Sequence, residues 1–107
     1  MESIKYCFDI DGTICSKDCD YSEAKPYGDV IRKINELYNL GHHIILFTSR
    51  GSSSGIDWYD FTKKQVDSWN IKYHKLLLGK PTYDIFVDDR AINNEDWYKN
   101  NNLKVGR

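Results

Sequence analysis

The chain has 107 residues, the size of one small domain, and a net charge of −1 at neutral pH. An apolar share of 40% and a charged share of 29% are ordinary for a folded globular protein and exclude a disordered or low-complexity chain. The near-zero charge argues against a surface built for nucleic acid, and no apolar run approaches the roughly 20 residues of a membrane helix.

Three cysteines, Cys7, Cys15 and Cys19, make an odd count. The N-terminus enters a strand pattern within a few residues and shows no leader. A reduced, cytoplasmic chain with free thiols is expected. Cys15 and Cys19 have the spacing of half a zinc site, but no second cysteine pair follows.

Residues 4–9 read as a buried strand. Residues 12–27 mix Gly, Ser, Lys, Asp and Pro without a period and read as a loop or small flap. Val30, Ile31, Ile34, Leu37 and Tyr38 lie on one face of a helix, with Asp29 as its N-cap and Gly41 just past its end. Residues 43–48 read as a second strand, and residues 51–55 as a flexible loop. Trp58, Phe61, Thr62, Gln65, Val66 and Trp69 mark a second amphipathic helix, with Asp57 near its start. A third strand is expected over 73–78, broken by Gly79-Lys80-Pro81. A fourth is expected over 83–87, ending at Asp88-Asp89. Residues 93–107 form a polar, asparagine-rich tail, read as one short helical turn and a loosely held end, with Leu103–Val105 as a weak edge strand.

Strands alternating with helices define an open parallel α/β sheet in one domain over 1–107. Ligands of such sheets bind beyond the carboxyl ends of the strands. The chemistry-bearing residues fall there. Asp9 and Asp11 are two apart, so an extended chain points both carboxylates to one side. Gly12 and Thr13 open a loop whose backbone N–H groups can face an anion. Thr48, Ser49 and Arg50 end the second strand, Lys80 follows the third, and Asp88-Asp89 end the fourth. Two carboxylates held this close need a cation between them, or one must keep its proton.

Each residue alone has a plainer explanation. Asp-x-Asp is an ordinary strand end, Thr48 a β-branched strand residue, Lys80 a solvated lysine before a turn, and Asp88-Asp89 a helix cap. Their order and joint placement point to catalysis.

In that order the residues resemble the haloacid dehalogenase (HAD) superfamily of phosphohydrolases. The resemblance rests on Asp9-x-Asp11-Gly12-Thr13, Thr48, Lys80 and Asp88-Asp89, and spans roughly residues 4–92. It implies a three-layer, Rossmann-like core. It implies Asp9 as a nucleophile that forms an aspartyl-phosphate, and Asp11 as general acid and base. It implies Mg²⁺ held by Asp9, the Asp11 backbone carbonyl and one of Asp88 or Asp89, with Asp88 favoured because it directly follows the strand. Thr48 and the Gly12 and Thr13 amides would bind phosphoryl oxygens, and Lys80 would offset developing charge. Arg50, two residues after Thr48, is expected to clamp the phosphate or a second anion, with Ser49 beside it.

Neither inter-motif gap is long enough to fold a cap domain, so the chain reads as capless. Phe47-Thr48-Ser49-Arg50-Gly51, Ser54–Trp58 and Gly79-Lys80-Pro81 resemble small phosphatases encoded with bacterial capsule and surface-polysaccharide biosynthesis. That implies a small phosphorylated substrate such as a sugar phosphate, with a homo-oligomer as one way to cover the open site. A polynucleotide 3′-phosphatase is the alternative, disfavoured by the neutral charge. A receiver-type signalling domain shares the residue types, but its acidic pair comes first and its lysine last.

Overall fold

The computed structural model describes residues 2–106. Three parallel strands, β1 (Lys5–Asp9), β2 (His43–Thr48) and β3 (Lys75–Leu78), form one sheet in the order β1-β2-β3. Helices α1 (Gly28–Asn39) and α2 (Tyr59–Ser68) make the two crossovers, and α3 (Asn94–Asn100) follows β3 at a distance. Register is set by alternation. Tyr6 pairs with Ile44 and Phe8 with Leu46, and Leu46 pairs in turn with Leu76, so one face of the sheet is continuously apolar.

That face is the core. Ile44 and Leu46 are fully buried against Val30, Ile34 and Val66 of the two crossover helices. Trp97 of α3 meets Phe8 edge to face, with ring centres 5.2 Å apart. The opposite face carries Cys7, Ile45, Phe47 and Leu77, all exposed or half-buried. Burial is therefore one-sided among the described residues. The exposed area, 7170 Å² for 12.6 kDa, exceeds the ~6,200 Å² that a compact monomer of this mass presents.

All three helices stop the same way. The last turn closes on a residue in the left-handed region: Gly41 at φ 97°, Asn70 at 61° and Asn102 at 54°. In each, that residue's N–H and the next one's donate back into the last turn: Gly41 to Tyr38 and His42 to Leu37, Asn70 to Asp67 and Ile71 to Val66, Asn102 to Lys99 and Leu103 to Tyr98. Asparagine tolerates this conformation better than most side chains, which gives two of the many asparagines a structural purpose.

The C-terminal tail differs from expectation. Residues 94–100 form a capped helix, with the Asn93 side chain accepting from Glu95 N–H at 2.9 Å. Leu103–Val105 pairs with no strand. Asp29 does not cap α1 either; it lies inside the first turn, and its carboxylate accepts the Lys104 N–H at 2.9 Å.

The expected fourth strand does not form. Tyr83–Val87 joins no ladder, and Ile85 and Val87 are 81% and 90% exposed. Strand composition alone does not make a strand: pairing does, and the stretch that follows Lys80, whose N–H donates to the Thr48 carbonyl at 3.2 Å, lies apart from every ladder.

At the amino end of the sheet, two histidines extend the ladder. Nδ1 of His42 accepts from Ile4 N–H and Nδ1 of His74 from Ile44 N–H, both at 3.0 Å. Replacing either histidine by alanine orphans a strand N–H, a loss of about 1–3 kcal/mol each in a urea titration. Wild-type midpoints in both variants would show that water satisfies these donors equally well.

Candidate functional site

Asp9 closes β1 with its carboxylate about one-third exposed. One oxygen accepts from the Thr13 hydroxyl at 3.1 Å, and the other from the Lys80 ammonium at 3.2 Å. Lys80 also lies over the Tyr83 ring, 5.2 Å from its centre. Burial opposes the Lys80 charge, but Tyr83 and Asp9 outweigh it and hold the ammonium above its ordinary range.

Asp11 meets a second cation. Arg50 donates from Nε and Nη2 to both Asp11 oxygens, each at 2.8 Å. The remaining edge of the guanidinium donates from Nη1 to Gln65 Oε1 at 2.7 Å and to the Thr62 hydroxyl at 3.3 Å. Its central carbon, Cζ, lies over the Tyr21 ring, 4.4 Å from the ring centre. The Arg50 side chain is completely buried. Burial opposes its charge as well, and the Asp11 bonds overcome that opposition. Two-point, desolvated pairs of this kind differ in scale from the exposed Arg32–Glu36 and Lys63–Asp67 pairs of the helices. Breaking the buried pair from one side costs roughly 3–5 kcal/mol, whereas exposed pairs contribute ~0–1 kcal/mol.

The like-charge problem posed by Asp9 and Asp11 is thus met by the chain's own Lys80 and Arg50. Arg50 is correspondingly not free to clamp a phosphate: four of its N–H groups are already engaged within the protein. The Gly12 and Thr13 amides also differ from expectation. Gly12 N–H donates to the Cys15 carbonyl at 2.8 Å and Thr13 N–H to that of Ile10 at 3.1 Å. The tight turn uses these donors itself, leaving none for an anion. Thr48 is buried at the end of β2, its hydroxyl accepting the Arg50 N–H at 3.1 Å. Ser49 beside it is half-buried.

Asp88 and Asp89 are not brought to this cluster. Both are exposed on the segment that follows the unpaired 83–87 stretch. Asp88 accepts the Arg90 N–H at 2.9 Å, a bond that holds its carboxyl below the usual range. Asp89 makes a loose exposed contact with Arg90 at 3.8 Å. Among the described residues no group of three or more His, Cys, Asp or Glu is placed to hold a metal ion. Asp9 and Asp11 are each paired to a side-chain cation, and Asp88-Asp89 lie apart from them.

Sequence reading missed the braces around the cluster. Asn94 donates to the Gly12 carbonyl at 2.9 Å, and the Tyr98 hydroxyl donates to that of Thr13, so α3 locks the Asp-x-Asp turn from behind. Thr62 and Gln65 are polar residues on the otherwise apolar face of the second helix, which was the available signal. Gly51 sets the loop between them and β2. At φ 86°, a Cβ there would lie 2.2 Å from the Ile56 carbonyl oxygen, so only glycine fits.

No protein-family model matches the chain, and no curated protein does. Among solved structures, the crystal structure of a target from Vibrio cholerae superposes with a TM-score of 0.80 at 26% identity, over 88% of this chain and 86% of that one. The likeness establishes a shared fold across most of both chains. No helix among the described residues is long and apolar enough to cross a membrane.

Cys15 lies under the turn, its thiol 3.6 Å from Asp11 Oδ1. Burial, reinforced by the Asp11 charge, pushes this thiol from 9.0 up to about 12. The folded state therefore favours the protonated thiol. That contribution is complete below the unfolded-state value and is lost as pH rises from about 9 toward about 12. Denaturant titrations across this range should show a steeper alkaline loss for wild type than for Cys15→Ala; identical slopes would refute the assignment.

Proposed function

We propose that this chain is a capless phosphomonoester hydrolase of haloacid-dehalogenase type, acting on a small phosphorylated metabolite such as a sugar phosphate. The observation that carries the reading is the Asp9 carboxylate. It is partly exposed at the carboxyl end of a parallel strand, held between the Thr13 hydroxyl and the Lys80 ammonium.

In this reading an Asp9 oxygen attacks phosphorus and the bond from phosphorus to the alcohol oxygen breaks. The leaving oxygen takes a proton delivered at Asp11, and water then attacks the acyl phosphate, giving its proton back at Asp11 and regenerating Asp9. Lys80 balances charge on the phosphoryl oxygens as the bonds change. Thr48 can donate its hydroxyl hydrogen, since its oxygen lone pair serves Arg50 N–H. Mg²⁺ belongs to the resemblance; the arrangement described does not assemble a site for it, and no step is routed through it. The core itself, read as the haloacid-dehalogenase type, stands or falls with the same proposal.

The test is phosphate release from sugar phosphates, nucleotides and 3′-phosphorylated oligonucleotides, each with Mg²⁺ and with EDTA. Release from one small metabolite is the expected outcome, abolished in Asp9→Asn and reduced roughly 10²–10⁴-fold in Asp11→Asn. Release from the oligonucleotides alone would move the substrate class to nucleic-acid ends. Wild-type turnover in Asp9→Asn would remove the nucleophile.

A further inference from the structure

We propose that Arg50 is a positioning residue: it fixes the Asp11 carboxylate and ties it to the 12–27 flap. The catalytic part of this inference rests on the phosphatase reading; the flap part does not. Three elements converge on one guanidinium. The Asp-x-Asp turn supplies both oxygens of Asp11, α2 supplies Thr62 and Gln65, and the flap supplies the Tyr21 ring. Gln65 closes the circuit by donating from Nε2 to the Tyr21 carbonyl at 2.6 Å. Trp58 packs on the same Tyr21 ring, edge to face, with centres 4.9 Å apart.

The geometry separates positioning from substrate binding. A phosphate clamp needs an accessible guanidinium, and this one is fully buried with both of its carboxylate-facing N–H groups spent. Asp11 keeps access to solvent, its side chain being 24% exposed; Oδ1 also accepts from the Cys15 thiol, whereas Oδ2 retains a lone pair beyond the one that Arg50 occupies. Arg50 thus sets the direction in which that lone pair points. A lysine supplies charge at one point and cannot hold a carboxylate in a plane.

The test uses Arg50→Gln, Arg50→Lys and Gln65→Met, each checked for a cooperative unfolding transition. The readouts are kcat, KM, inhibition by inorganic phosphate, and tryptic cleavage after Lys17 in the flap, Lys25 being protected by Pro26. Positioning predicts a kcat at least ~30-fold lower in Arg50→Gln, with KM and the phosphate inhibition constant within threefold of wild type. Arg50→Lys stays at least ~10-fold down, because restoring charge does not restore the two-point hold. Flap cleavage accelerates in Arg50→Gln and, to a smaller degree, in Gln65→Met, which keeps the Arg50 and Asp11 pair while removing its anchor. A tenfold rise in KM and in the phosphate inhibition constant at unchanged kcat would overturn positioning in favour of a clamp. Full rescue by lysine would reduce Arg50 to a counter-charge. If Arg50→Gln does not fold, Gln65→Met decides the flap question by itself. If wild type hydrolyses nothing, the phosphatase reading fails while flap cleavage still judges the tie; unchanged cleavage in both Arg50→Gln and Gln65→Met would sink it.

Discussion

Everything at the carboxyl end of this sheet depends on neutralising two carboxylates that the chain places two residues apart. The fold meets that constraint with a lysine from the end of β3 and an arginine from the end of β2. Each cation arrives on a different strand, so charge balance and topology are one problem. The two solutions are not equivalent. Arg50 is fully buried and held on every side, whereas Lys80 reaches Asp9 through a flexible stem at a partly solvated edge. One carboxylate is held in a plane from two points and the other by single contacts to a hydroxyl and an ammonium.

Most of the architecture was legible in the sequence because its signals are local. The three strands that form are largely apolar runs bounded by turn residues, and the two crossover helices carry apolar stripes, the second interrupted by Thr62 and Gln65. The same reasoning failed where a residue's environment is set by distant parts of the chain. Tyr83–Val87 has the composition of a strand, yet strand formation is a pairing event, and this stretch joins no ladder. Asp29 looked like a cap but serves the backbone of Lys104, 75 residues on.

The site divides along the same line. Asp9, Asp11, Thr48 and Lys80 were found because each closes or follows a strand, and strand ends share an edge. What each group is bonded to was not readable. The amides of Gly12 and Thr13 looked available until the turn was seen to consume them, and Arg50 looked like a substrate ligand until α2 and the flap were seen around it. Backbone direction follows from sequence pattern; the spending of donors and acceptors follows only from the assembled whole.

The engagement of Lys80 has a topological corollary. Its ammonium rests on Asp9 at the end of β1, its amide on Thr48 at the end of β2, and it stands two residues beyond the end of β3. One residue thereby fastens the carboxyl ends of three strands to one another, by one backbone bond, one ion pair and one covalent connection. A substitution of its side chain removes only the tie to β1 and leaves the ties to β2 and β3 in place.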